Sequence, residues 1–269
     1  MEWKNIYRGF LMGVSDLIPG VSGGTIAFLL GIYDRLLTSI SGFFSREWKK
    51  HLGFLVPLAI GMGITIVVFS RVIDYLLKNY EQPTHFFFIG LIIGVIPFIT
   101  KQAGVKKNFK IGHFLLLFVV AVALATTNFI KPVDVTVITT LSFQNALGLF
   151  FAGWLGSMAM LLPGVSGSFI LLLLGVYATV INALSTFNLP IIITVGAGVA
   201  VGFIVSSKAI HYLLTHYTHS MFAVIIGLII GSIVVIYPGL PESGTPFVMS
   251  IIALIMGLIV ANMFDNVKQ

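Results

Sequence analysis

This sequence predicts an all-α, polytopic membrane bundle of two inverted-topology repeats, each a re-entrant helical hairpin plus three transmembrane helices. Three observations predict it. The 269 residues are 58% hydrophobic and 9% charged, with a mean hydropathy of +1.06. A soluble domain carries about 25% charged residues, so lipid rather than water must cover most of this surface. Apolar runs recur along the chain, most of them near the roughly 20 residues that cross a bilayer. The chain also repeats itself: Ile18-Pro19-Gly20-Val21-Ser22-Gly23-Gly24 returns 144 residues later as Leu162-Pro163-Gly164-Val165-Ser166-Gly167-Ser168.

In order, residues 1–130 make the first repeat. The start, Met1-Glu2-Trp3-Lys4-Asn5, lacks the basic region and cleavage site of a signal peptide. Residues 9–40 are broken by Asp16 and by the Pro19-Gly20 turn. That segment is too short for two full spans and too interrupted for one, so a re-entrant hairpin is expected. Such backbone survives in a membrane only where protein or a watery cavity covers it. Spans follow at 52–77, 85–100 and 111–130. The second repeat, 131–269, has its hairpin at 142–187, broken at Pro163-Gly164, and spans at 190–214, 219–237 and 246–264.

The loops orient the bundle. Arg46, Lys49 and Lys50 precede one span, and Lys101, Lys106, Lys107 and Lys110 lie two spans later. Both loops therefore share a side, read as cytoplasmic because cations are retained there. The N- and C-termini fall on that side too. The net charge of +6 is thus an orienting charge and points to no nucleic acid. With no cysteine in the chain, disulfides and thiolate metal sites are excluded.

The repeat extends beyond the turns. Leu30-Gly31-Ile32-Tyr33 matches Leu174-Gly175-Val176-Tyr177, and Ile89-Gly90-Leu91-Ile92-Ile93-Gly94 matches Ile226-Gly227-Leu228-Ile229-Ile230-Gly231 at an offset of 137. A hairpin does not change side and three spans do, so the second unit enters from the opposite face. That plan is frequent among secondary transporters, with the site at the repeat interface.

Candidate site residues follow from the turns. A proline ends one helix, glycine allows close backbone approach, and the next helix begins with unpaired amides that favour an anion, phosphate above all. Ser22, Gly23, Gly24, Thr25, Ser166, Gly167 and Ser168 are the expected phosphate-binding residues. Small residues for helix packing, with serine as an N-cap, are the alternative. Intramembrane charge is costly and usually functional. Arg71 is the expected cationic partner of the phosphate, with Asp74 three residues on along the same face. Asp16, Asp74, Lys208 and Arg35 form a secondary or coupling group; Arg35, near the end of the hairpin, also suits an interfacial anchor. No histidine spacing suggests a metal, no catalytic set is recognisable, and no cofactor is expected. Coupling to H+ or Na+ stays open.

The motif Asp16-Leu17-Ile18-Pro19-Gly20-Val21-Ser22-Gly23-Gly24-Thr25, followed by Leu30-Gly31-Ile32-Tyr33 and echoed from Leu162 to Phe169, resembles the bacterial polyprenyl-phosphate transporter (PopT-like) family. The resemblance covers nearly the whole chain. It implies a flippase of the bacterial cytoplasmic membrane that returns undecaprenyl phosphate, the lipid carrier of cell-wall sugars, from the outer to the inner leaflet. That substrate comes from the resemblance; the residues themselves give a transporter with anion-suited turns. A secondary transporter of a soluble anion and a membrane-embedded lipid phosphatase or transferase are the other two readings. The second motif lacks the acidic residue, since Met160 stands where the first has Asp16.

Overall fold

The computed structural model describes residues 1–16, 22–43, 45–127, 137–240 and 244–266; the side chains of residues 66, 67, 70, 71, 73, 74, 78, 185 and 264–266 lie outside that description. Among the described residues the chain is helical and contains no strand. The first repeat comprises α1 (Asn5–Asp16), α2 (Gly23–Leu29), α3 (Tyr33–Gly42), α4 (Trp48–Asn79), α5 (Glu81–Gln102), the short α6 (Val105–Asn108) and α7 (Ile111–Thr126). The second comprises α8 (Phe143–Leu161), α9 (Gly167–Leu173), α10 (Tyr177–Ser185), α11 (Leu189–His216), α12 (Thr218–Ile236) and α13 (Thr245–Asn266). The helices α5, α11, α12 and α13 are each long and apolar enough to cross a membrane, which makes this a multi-pass membrane protein. Proline stands inside two of the long helices, Pro57 in α4 and Pro97 in α5.

In lipid the hydrophobic effect does not drive helices together, so close contact of small residues must. The main helix pairs follow that rule. α1 lies on α4, where a Cβ on Gly9 or Gly61 would run into backbone of the partner helix. α8 lies on α11 in the same way through Gly153 and Gly198, which are the repeat counterparts of those two glycines. One position shows the trade directly. Gly13 of α1 faces Thr65 of α4, and in the second pair the sizes are exchanged, with Ser157 on α8 facing Gly202 on α11.

The Ile-Gly-Leu-Ile-Ile-Gly segments serve the other two pairs. Gly90 and Gly94 of α5 receive α13 at Leu254, Leu258 and Ala261, and Gly227 and Gly231 of α12 receive α7 at Leu117, Val120, Ala121 and Leu124. The last long helix of each repeat therefore packs on the other repeat, which ties the two halves into one body.

The hairpin arms hold one feature the sequence reading missed. In each repeat the segment after the turn is two helices, α2–α3 and α9–α10, rather than one. The α9–α10 pair bends by 114°. The breaks fall on the repeated Leu-Gly-(Ile/Val)-Tyr motif, where Gly31 has φ +64° and Gly175 has φ +70°. A side chain there would be strained, so glycine permits the bend.

The two arms are alike in sequence and differ in burial. Phe28 is 3% exposed and its counterpart Leu172 39%; Tyr33 is 3% and Tyr177 38%; Leu37 is 0% and Ile181 48%. The reason is packing: α3 lies against both α4 and α11, whereas α10 lies on α9 and α11 and has no comparable seat on α4.

Candidate functional site

The two turns meet. Ser22, the N-cap of α2, accepts from the Thr25 amide at 3.3 Å and donates to the Leu162 carbonyl of the other repeat at 3.2 Å. The Gly164 amide donates to Thr25 Oγ1 at 2.9 Å and to Ser22 Oγ at 3.3 Å. Tyr33 Oη donates to the Leu161 carbonyl at 2.8 Å. A helix leaves its last carbonyls without partners, and here hydroxyls of the first hairpin satisfy those at the end of α8. In the second turn the Ser166 hydroxyl bonds that of Ser168 at 2.8 Å and Tyr177 is exposed; the counterparts of Leu161, Leu162 and Gly164 in the first turn lie outside the described residues.

Gly164 fixes this junction. It has φ +86°, and a Cβ there would stand 2.8 Å from the backbone carbonyl of Leu228 on α12. The backbone of the turn thus passes directly over α12, a position only glycine fills without strain.

Beside the junction lies a cavity of about 420 Å³. Its walls are apolar, drawn from Leu36 and Ile40 of α3, Leu55, Leu58 and Met62 of α4, and Phe203 and Ile204 of α11. Asp16, Gly23, Gly24, Met160 and Leu161 form one end, next to the turns. There Asp16 Oδ1 accepts from the Gly23 amide at 2.6 Å. No cation stands within ion-pair distance of Asp16 among the described residues. A Cβ on Gly23 would meet the Asp16 carboxylate at 2.8 Å, and one on Gly24 would meet the Leu161 and Met160 carbonyls at 3.1 and 3.2 Å. The two glycines let the carboxylate and the end of α8 close in on the start of α2.

The expected site residues therefore separate into groups. Ser22 and Thr25 are each 1% exposed and bind the two turns to each other. Gly23, Gly24 and Asp16 line the cavity. Gly167 is buried against Met160 and Gly156 of α8, Ser166 is buried beside it, and Ser168 is exposed. Lys208 is exposed on α11. Arg35 stands at the surface, paired with Glu2 and over the Phe54 ring at 5.0 Å, which suits an anchor rather than a ligand. The side chains of Arg71 and Asp74 lie outside the described residues, as do Pro19 and Gly20 of the first turn. Tyr33 was not expected from the sequence; its only signal was its place in the repeated Leu-Gly-(Ile/Val)-Tyr motif.

Comparison with known proteins adds an identity to this geometry. Residues 12–245 match the family described as undecaprenyl phosphate translocase-like. The chain is 44% identical over 268 residues to a polyprenyl-phosphate transporter of Staphylococcus aureus, covering 97% of this chain and 95% of that protein. It is 34% identical over 253 residues to a polyprenyl-phosphate transporter of Vibrio cholerae, covering 88% and 79%. No solved structure matches.

Proposed function

We propose, for a chain that belongs to the undecaprenyl phosphate translocase-like family, that it carries polyprenyl phosphate past the joined turns, from the outer to the inner leaflet of a bacterial cytoplasmic membrane. It is a transporter of polyprenyl phosphate and not an enzyme. The observation that best supports this route is the cavity beside the turns, apolar on its walls and polar at one end only. A lipid with one charged head and a long hydrocarbon chain has the same division. A soluble anion would need a polar path throughout, because a bare phosphate charge in hydrocarbon is prohibitively costly.

The phosphate would be met at the turns by the backbone of Gly23 and Gly24, with Ser22, Thr25, Ser166, Gly167 and Ser168 around it and Arg71 as its principal cation. Asp16 accepts the Gly23 amide at the same place. An arriving phosphate, carrying about −1.5 to −2 charge, must displace that carboxylate or find it protonated. This is how an ion could couple to the step.

Burial differences between the arms support an alternating route. The α3 arm is seated on α11 while its counterpart α10 is free of α4. In the opposite state α10 would seat on α4, where Ile64 and Val68 are exposed, and α3 would release α11. Exposed apolar faces cost little in lipid, so the two states can lie close in energy. With the basic loops cytoplasmic, α3 is the inner arm and α10 the outer one.

The test is leaflet-resolved movement of a labelled polyprenyl phosphate in proteoliposomes. The reading predicts protein-dependent movement of the phosphate lipid, none of the matching prenyl alcohol, and no released inorganic phosphate. Equal movement of phosphate and alcohol would remove the headgroup site from the mechanism.

A further inference from the structure

Two arginines just outside the cavity lining, Arg8 of α1 and Arg35 of α3, differ in one respect. Both connect to Phe54, Arg35 through the ring and Arg8 by way of Asn5. Arg35 is over its ring and is neutralised by Glu2. Arg8 is held by Asn5, whose Oδ1 accepts from Arg8 Nη1 at 2.9 Å and whose Nδ2 donates to the Phe54 carbonyl at 3.3 Å. Asn5 is 0% exposed, so the clamp on Arg8 is itself buried. The guanidinium also stands 5.9 Å from the Tyr7 ring centroid. Arg8 pairs with no carboxylate among the described residues, and its Nε is buried without a hydrogen-bond partner.

A snorkelling arginine puts its whole head in water; this one keeps an N–H out of water and unsatisfied. Residues 5, 8, 12 and 16 follow helical spacing along one face of α1. Met12, one turn from Arg8, lines the cavity, and Asp16, two turns from it, closes the far end. At 1.5 Å per residue, Arg8 stands about 6 Å beyond Met12 along the axis and about 12 Å from Asp16. A negative group at the deep end and an unpaired positive one at the mouth make a field that draws an anion along this face toward the inner side. The second repeat has Ala152 at the matching position, 3% exposed, so only one mouth carries this cation.

We propose that Arg8 is a phosphate-binding residue at the inner mouth of the cavity, receiving the headgroup of a prenyl phosphomonoester after it leaves the turns. This rests on the transport reading above. Guanidinium donors reach two phosphate oxygens at once, so one headgroup would take the unused Nη2 and, as the side chain turns toward it, the Nε that is buried and unsatisfied in this structure. Nη1 remains with Asn5, which keeps the fork oriented when the site is empty.

Equilibrium binding by the purified full chain in detergent tests this, with farnesyl phosphate, farnesol and inorganic phosphate as probes. Arg8→Gln should weaken farnesyl phosphate binding about ten-fold or more, the loss expected for charged hydrogen bonds, and leave farnesol binding unchanged. Arg8→Lys, which keeps the charge but not the fork, should fall between. If Arg8→Gln does not fold, Arg8→Lys decides: a several-fold loss supports the proposal and unchanged affinity overturns it. Inorganic phosphate competing as well as farnesyl phosphate would assign the site to a free anion and overturn the lipid assignment. A wild type that binds no farnesyl phosphate fails the transport reading itself. A wild type that binds it and an Arg8→Gln variant that binds it equally overturn Arg8 alone.

Discussion

Replacing Gly164 by alanine should destabilise the protein by about 3 kcal/mol or more and abolish transport in whatever fraction folds. Two costs add. A Cβ at φ +86° costs about 1–2 kcal/mol in the left-handed region. The same atom would stand 2.8 Å from the Leu228 carbonyl, and crowding a packed interior costs about 1–3 kcal/mol. Neither can be relieved locally, because Leu228 belongs to the backbone of α12, which Gly227 and Gly231 hold against α7. If the turn moves away instead, the Gly164 amide leaves Thr25 and Ser22, and the joined turns separate. Thermal unfolding of the purified variant, with transport measured on the folded fraction, checks both parts. Gly148 makes the control, since a Cβ there meets nothing within 4 Å; Gly148→Ala should behave as wild type.

The second large effect is expected from Ser22→Ala combined with Thr25→Val. Together these changes keep most of the volume and remove both hydroxyls that accept the Gly164 amide. A buried amide left without a partner costs about 1–3 kcal/mol. The Leu162 carbonyl loses its donor in the same step. Transport should fall by about a hundred-fold, because displacing a binding constellation by about an ångström has that effect on rate. Each single variant should lose less than half of that in free-energy terms, since the Gly164 amide is shared between two acceptors and either can serve alone. Transport rates of the two single variants and the double variant, at equal amounts in the membrane, give the comparison. Additive losses would show that the hydroxyls act separately.

Much of this fold was legible in the sequence because the bilayer leaves few options. Apolar runs of about 20 residues must be helices, and two copies of one Pro-Gly-Val-Ser-Gly turn must break them at matching places. The Ile-Gly-Leu-Ile-Ile-Gly segments marked the duplication, but not the job they share: each receives the last helix of the other repeat. That exchange depends on contacts more than a hundred residues apart. The bend at Gly31 and Gly175 lies in a motif whose letters show repetition and family likeness but no change of helix direction. Asp16 was identifiable as a costly intramembrane charge. Its partner, the Gly23 amide seven residues on, lies across a turn whose path no periodicity describes. For Arg35 the sequence favoured an interfacial anchor over a ligand by its place near the end of the hairpin, but did not show its partner, because Glu2 reaches it from 33 residues away. The burial difference between α3 and α10 was beyond the sequence for a further reason. Two nearly equal arms encode two nearly equal seats, and which is filled is a property of a state rather than of the residues.

That last point is the centre of the account, and the chain lends itself to a direct test because it contains no cysteine. Ile40 on α3 and Phe203 on α11 both line the cavity. With both replaced by cysteine and joined by a short reducible cross-linker, the inner arm would be fixed on α11. Leaflet-resolved movement of polyprenyl phosphate should then stop, and reduction of the linker should restore it. Movement at the unlinked rate while the link is intact would contradict the exchange of arms and leave the joined turns without a gate.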